Sequence, residues 1–255
     1  MSRQPSRRVA ESPGCEPLRL MFARAQKQGW SRWTDAEAGF LDAMWRFDQN
    51  LISGRADQGD NQNGKGDFFT DLVCVLLEGC SGKVLDYRPD VPGLIFPHHA
   101  LDAAYPATGV VEVLIETKAA GAPKTSRNPS QKRTLGRPGS ADLDKRIKEA
   151  GLKTIDLKAE WARTAGKGGG PTADFVSWLR RSKPLCYLLL AIRIIDDTDL
   201  KKAIRTADAA NSVMDGCGLY CYRPGTKDYR SDPVPTHLQL DRVLSRICDG
   251  IRALP

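Results

Sequence analysis

The spacing of apolar side chains predicts helices in the first part of the chain and at its end. Between residues 17 and 54, apolar residues recur every three or four positions, which is the period of a helix with one buried face. The sequence DFFTDLVCVLLEGC, 67–80, predicts a compact helix, and 236–253 predicts an amphipathic closing helix. The polar, glycine-rich sequence 54–66 predicts a flexible loop between the first two of these segments.

The middle of the chain carries strand patterns. Two apolar runs, 94–103 and 110–118, flank the turn-forming sequence YPATG and predict a β-hairpin. The largely apolar run 184–196 predicts a central buried strand, and GLYCYRP, 218–224, predicts another. A charged amphipathic helix is predicted over 140–163. This order of elements is typical of an α/β domain with a mixed β-sheet flanked by helices.

The second run of the hairpin, VVEVLIETK, places charges in an otherwise apolar strand. Because alternate residues of a strand share a face, Glu112, Glu116 and Lys118 are predicted to point the same way. A buried carboxylate or ammonium group must be paired, hydrated or bound to a metal, because removing it from water is costly. These charges therefore indicate a functional site on the strand.

Asp102 ends the first run of the hairpin, and thirteen residues separate it from Glu116. A hairpin of that size can bring the two carboxylates together, and a hard divalent cation such as Mg²⁺ relieves their repulsion. We therefore expect Asp102, Glu116 and the backbone carbonyl of Thr117 to be metal ligands. We expect Lys118 to position the water that attacks a phosphodiester polarised by the metal.

The pattern Asp-x13-Glu-Thr-Lys resembles that of the PD-(D/E)xK nucleases, which include many type II restriction endonucleases. The resemblance covers roughly residues 64–222. It implies a restriction-endonuclease-like core and a catalytic set of Asp102, Glu116 and Lys118 that uses Mg²⁺, with Mn²⁺ able to substitute. It further implies sequence-specific cutting of double-stranded DNA by a homodimer, accompanied by a cognate DNA methyltransferase. A repair or junction-cleaving nuclease of the same fold, and a non-catalytic DNA-binding protein, remain open alternatives.

Other acidic residues compete for the metal site. The literal Pro-Asp pair is Pro89-Asp90, so Asp90 is the rival of Asp102, although its flanking prolines disfavour a strand. The superfamily often adds an acid from the leading helix, and Asp71 and Glu78 are the candidates. The alternative for both is simple solvation of an amphipathic helix.

A basic segment, 119–139, follows Lys118 directly and contains no acidic residue. Its position beside the expected metal site favours contact with DNA phosphates, and arginine or asparagine can also read base edges. The candidate DNA-binding residues are Lys124, Arg127, Asn128, Lys132, Arg133 and Arg137. The alternative is a solvated basic loop, because blocks of like charge repel one another.

Composition and charge fit these expectations without proving them. The net charge of +7 suits a polyanionic partner. No apolar run is long enough to span a bilayer, and the seven cysteines contain no C-x-x-C pair, which favours buried free thiols in a cytoplasmic protein. We expect a disordered tail over 1–14, a helical N-terminal extension over 15–60 and a nuclease domain over 61–255.

Overall fold

The structure is a computed structural model that describes residue 6 and residues 9–10, 16–125, 136–164 and 174–255. The helices of these residues are α1 (Glu16–Gln28), α2 (Trp33–Ile52), α3 (Gln58–Ser81), α4 (Leu143–Thr164), α5 (Phe175–Arg181), α6 (Asp197–Ala210) and α7 (Leu240–Arg252). The strands are β1 (Asp86–Tyr87), β2 (Asp90–Val91), β3 (His99–Ala100), β4 (Ala103–Tyr105), β5 (Val113–Ala120), β6 (Leu185–Arg193), β7 (Gly216–Pro224) and β8 (Tyr229–Asp232). Short 3₁₀ helices, Gly139–Asp142 and Thr236–Leu238, lie just before α4 and α7.

The described strands form a six-stranded mixed sheet in the order β1-β4-β5-β6-β7-β8. The neighbours β5, β6 and β7 are parallel, and the pairs β1–β4, β4–β5 and β7–β8 are antiparallel. The strands β2 and β3 form a separate two-stranded sheet. The prediction of an α/β protein with a mixed sheet flanked by helices is therefore confirmed.

The long strands β5 and β6 are buried because each face of the sheet carries its own hydrophobic core. Ile115 and Leu189 face a core completed by α1, α2, α3 and α7. Leu114 and Leu188, one position earlier on each strand, face a second core completed by α4 and α6. The alternation of side chains along a strand thus places any polar residue of β5 against one of two helix layers.

The prediction of a loop over 54–66 is wrong, because α3 begins at Gln58. The carboxylate of Asp57 caps the helix by accepting a hydrogen bond from the backbone N–H of Asp60 at 2.7 Å. Gly64 allows a close approach of α2, since a Cβ there would lie 2.8 Å from Cε1 of Phe47. The glycine that suggested flexibility serves helix packing.

The predicted hairpin of 94–103 with 110–118 is only partly correct. The strand opposite β5 is the short β4, and the chain before it forms a loop that leads into β3, which pairs with β2. That loop is shaped by the buried carboxylate of Asp156, which accepts hydrogen bonds from the backbone N–H groups of Ile95 and Phe96 at 2.7 and 3.1 Å. A side chain on α4 therefore replaces strand pairing as the partner of this backbone.

The N-terminal helices pack into the main core. Phe40 of α2 has ring contacts with Phe68 of α3 and with Tyr222 of β7, and the expected boundary at residue 60 falls inside α3. Most of the expected tail, 1–14, lies outside the described residues, but Val9 is buried in the same core. The helices over 16–52 therefore belong to the same hydrophobic core as one face of the sheet.

The expectation of free thiols is wrong for Cys80 and Cys248, which form a disulfide between the end of α3 and α7. Their Cα atoms lie 6.2 Å apart because both helices cover the same face of the sheet. Cys15 lies outside the described residues. The other cysteines are buried free thiols, as expected: Cys74, Cys186, Cys217 and Cys221.

The two glycines in the middle of α3 give a test of this packing. We predict that Gly64→Ala lowers the free energy of unfolding by about 1–3 kcal/mol, because the new methyl group collides with Phe47. Gly66→Ala is the matched control: nothing lies within 4 Å of its Cβ position, so the higher helix propensity of alanine should raise stability by about 1 kcal/mol. Urea denaturation measures both changes, and equal effects of the two substitutions would contradict the close approach of α2.

Candidate active site

The three predicted catalytic residues lie together where β4 meets β5. Nζ of Lys118 lies 3.2 Å from Oδ2 of Asp102 and 3.3 Å from Oε2 of Glu116. The hairpin register brings them together: Ala103 pairs with Ile115, so the next position places Asp102 opposite Glu116. One ammonium group thus lies between two carboxylates that would otherwise repel each other.

Asp102 is held by the backbone on both sides. It does not end a strand, as the sequence suggested, but directly precedes β4. Its Oδ2 accepts hydrogen bonds from the backbone N–H of Thr117 at 2.7 Å and from the Thr117 hydroxyl at 3.2 Å. The backbone N–H of Arg88 donates to its carbonyl at 3.1 Å. The Thr117 contacts orient the carboxylate, and the Arg88 contact holds the backbone of Asp102, before any ligand arrives.

Glu116 is buried and has a second cationic partner that the sequence did not reveal. Oε1 of Glu116 accepts a hydrogen bond from Nζ of Lys153 on α4 at 2.9 Å. The same ammonium group donates to the carbonyl of Ala100 at 2.7 Å. The pattern of α4 indicated only that position 153 is polar, so no signal in the sequence connected Lys153 with β5.

Lys118 remains protonated at neutral pH. Burial of the ammonium group acts to lower its pKa, but the charges of Asp102 and Glu116 and their hydrogen bonds outweigh this effect and raise the pKa above its ordinary value. Lys118 is therefore a hydrogen-bond donor and a source of positive charge, and it is not a base.

The backbone carbonyl of Thr117 lies on the same side of β5 as Asp102. The N–H and C=O groups of one strand residue point to the same neighbour, and the Thr117 N–H points to Asp102. The Thr117 side chain lies on the α3 side, where its hydroxyl is 2.6 Å from the hydroxyl of Thr70. The carbonyl therefore has the direction required of a ligand beside Asp102.

The rival acids lie elsewhere. Asp90 belongs to β2, in spite of its flanking prolines, and is exposed, with Oδ2 2.8 Å from Nδ1 of His98. Glu78 accepts a hydrogen bond from the backbone N–H of Leu85 at 3.0 Å. Glu112, expected on the face of Glu116, lies just before β5 with Oε2 3.0 Å from Nζ of Lys183. The structure therefore groups Asp102, and not these acids, with Glu116.

Asp71 does not face the site either, and a neighbouring acid does. The Asp71 carboxylate accepts a hydrogen bond from the backbone N–H of Ser6 at 2.8 Å, and burial raises its pKa. Asp67, one helical turn earlier on α3, lines the cavity beside Asp102 and forms an ion pair with Arg88. The sequence pattern gives Asp67 no role in the site, because the predicted helix 67–80 begins at this residue. Its spacing of four from Asp71 was the available signal.

A cavity of about 300 Å³ opens beside the Asp102–Lys118 pair. Its lining includes side chains of α3 and, around the start of α4, two arginines and Asp142. The polar and charged side chains that line it are Gln62, Asn63, Asp67, Thr70, Asp102, Thr117, Lys118, Arg137, Asp142 and Arg146. Arg146 was not among the expected DNA-binding residues, because it lies on α4 beyond the basic segment.

The basic segment leaves the sheet beside this cavity. Backbone hydrogen bonds between Ala122 and Arg137, at 2.8 and 3.2 Å, close its base. Lys124 is exposed, and Arg137 lines the cavity and forms an ion pair with Asp142. The other expected DNA contacts, Arg127, Asn128, Lys132 and Arg133, lie outside the described residues.

The donor set fits a magnesium ion but is small. Within the described ranges, no group of three or more His, Cys, Asp or Glu side chains is arranged to hold a metal. Mg²⁺ is commonly bound by one or two carboxylates, with water and phosphate oxygens completing its shell. Asp102, Glu116 and the Thr117 carbonyl meet that requirement.

No helix of the described residues is long and apolar enough to cross a membrane.

Comparison of the chain with protein-family models, with curated proteins and with solved structures finds no match. The assignment of the site therefore depends on its own geometry and chemistry.

The choice between Asp102 and Asp90 can be tested by metal binding. We predict that the wild-type protein binds Mn²⁺ and that Asp102→Asn weakens binding strongly, because it removes a charged oxygen ligand beside Glu116. Asp90→Asn is the matched control and should bind as the wild type does, since Asp90 lies outside the cavity. The free Mn²⁺ signal in electron paramagnetic resonance measures both variants. Loss of binding in Asp90→Asn alone would reverse the assignment.

Proposed function

We propose that the protein is a Mg²⁺-dependent endodeoxyribonuclease that hydrolyses phosphodiester bonds in double-stranded DNA. The observation that carries the proposal is the Lys118 ammonium group between the carboxylates of Asp102 and Glu116. The same arrangement of Asp, Glu and Lys on a hairpin is implied by the resemblance to PD-(D/E)xK nucleases. A restriction-endonuclease-like core is part of the same proposal.

Each residue of the site has a role in this reaction. Asp102, Glu116 and the Thr117 carbonyl would hold the ion, which when bound polarises the phosphodiester and lowers the pKa of a water molecule. Lys118, which is protonated in the metal-free site, would orient the attacking water and offset negative charge that develops on the phosphate oxygens. Lys153 holds Glu116 in place from α4.

The walls of the cavity support a polyanionic substrate. Arg137 and Arg146 line the cavity, where each is paired with a carboxylate of Asp142 or Glu149, and the exposed Lys124 lies in the basic segment. Neutralisation of phosphates by such residues releases counterions, which drives binding to DNA. We therefore propose that the DNA backbone lies along this wall.

The narrower proposal is a sequence-specific type II restriction enzyme. It depends on the resemblance, and it includes a homodimer, because cutting both strands of a duplex requires two sites. It also includes a cognate DNA methyltransferase that modifies the same sequence. A repair or junction-cleaving nuclease would use the same site on a different DNA substrate.

Cleavage of plasmid DNA in Mg²⁺ tests the proposal. We predict that Lys118→Ala lowers the rate by about 10²–10³-fold, because it removes a donor that stabilises developing charge, and that Glu116→Ala abolishes cleavage. Glu112→Ala is the matched control: it removes a carboxylate from the same segment, but its partner is Lys183, outside the site. It should cleave at the wild-type rate.

The products separate the candidate functions. Discrete fragments from the wild-type protein indicate a restriction enzyme, and cleavage confined to branched substrates indicates a repair nuclease. DNA binding without cleavage of any substrate would reject the catalytic proposal.

A further inference from the structure

Arg88 has an unusual backbone conformation beside the site. Among the described parts of the chain, Arg88 is the only non-glycine residue with a positive φ, which is +55°. L-residues other than glycine, asparagine and aspartate rarely adopt this region, and such strain tends to be retained at functional sites. A glycine at position 88 would satisfy the backbone more easily, so the arginine side chain requires an explanation.

The position of Arg88 beside the sheet places it next to Asp102. Tyr87 pairs with Ala103, so the following position brings Arg88 opposite Asp102, and the Arg88 N–H donates to the Asp102 carbonyl at 3.1 Å. Asp102 is in turn opposite Glu116. Arg88, Asp102 and Glu116 therefore form one row across three neighbouring strands.

The Arg88 side chain is supported from one side and open on the other. Its guanidinium group lies 5.2 Å from the centroid of the Tyr87 ring and forms an ion pair with Asp67. The side chain of Asp67 is only 8% exposed, whereas that of Arg88 is 44% exposed. A guanidinium group has five N–H donors in a planar fork, so donors remain for a ligand on the exposed side.

The other cations near Asp102 and Glu116 are less available. Lys118 is shared by two carboxylates, and Lys153 binds Glu116 and a backbone carbonyl. Their side chains are 29% and 28% exposed. Arg88 is the more open cation beside Asp102, and the arginine fork matches two oxygens of a phosphate.

We propose that Arg88 binds the non-bridging oxygens of the phosphodiester that is cut, and that Asp67 and Tyr87 hold its guanidinium group for this contact. The inference rests on the proposed nuclease function and adds a substrate-binding residue to it. No bond is made or broken at Arg88, whose role is to bind and orient the phosphate opposite Asp102.

The backbone conformation suggests a variant that removes the side chain while the positive φ is kept. Arg88→Gly keeps a residue that readily adopts positive φ, but it also removes the ion pair with the buried Asp67, so its thermal unfolding temperature is measured beside that of the wild type. Arg88→Lys keeps the charge but loses the fork. Arg46→Ala is the control, since Arg46 is an exposed arginine on α2 that is paired with Asp42 and lines a separate cavity.

Two readouts distinguish a phosphate contact from a structural role. In duplex binding without divalent metal, Arg88→Gly should reduce the slope of log K against log salt concentration by about 0.9, the value for one lost phosphate contact. Arg88→Lys and Arg46→Ala should keep the wild-type slope. In plasmid cleavage with Mg²⁺, Arg88→Gly should be slower by about 10²-fold or more, with Arg88→Lys between it and the wild type.

The outcomes separate this inference from the proposed function. If the wild type cleaves DNA and Arg88→Gly matches it in rate and slope, the inference is overturned and the nuclease function stands. If the wild type binds but never cleaves, the catalytic function fails, and the slope of Arg88→Gly alone supports or overturns the phosphate contact. If the wild type does not bind DNA, both proposals are overturned.

Discussion

The sharing of one ammonium group by two carboxylates is the interaction on which the site depends. Lys118 lies within 3.3 Å of both Asp102 and Glu116. Without it, the negative charge of Asp102 would lie opposite that of the buried Glu116. The arrangement requires β5 to be regular, because Glu116 and Lys118 share a face only while strand alternation holds. Burial of β5 between two helix layers maintains that regularity.

Each helix layer also contributes directly to the cluster. From one side, α3 supplies Thr70 against Thr117 and places Asp67 at the cavity. From the other side, α4 supplies Lys153 to Glu116. A site held from three elements in this way is oriented before a ligand binds, which is what a reaction that depends on positioning requires.

The charges of the cluster bear on the proposed reaction. The carboxylates of Asp102 and Glu116 are balanced by the ammonium groups of Lys118 and Lys153, so the cluster is neutral before a metal binds. On the proposed function, a divalent ion would make it positive, and the anionic phosphodiester would offset that charge. Metal and DNA are then expected to favour each other's binding.

The sequence by itself determined the α/β class and the shared face of Glu116 and Lys118. The alternation of side chains along a strand depends only on neighbouring residues, and the sequence VVEVLIETK shows it directly. Hairpin spacing also favoured Asp102 over Asp90 as the acid opposite Glu116, and the register of β4 with β5 places Asp102 at that position. Only the tertiary structure decided which helix acid faces the cavity, that Lys153 reaches Glu116, and that Gly64 lies inside a helix. These features depend on how distant segments pack. The face of a helix that is buried depends on the elements beside it, and a glycine in close contact with another helix cannot be told from a glycine in a flexible loop by its neighbours in sequence.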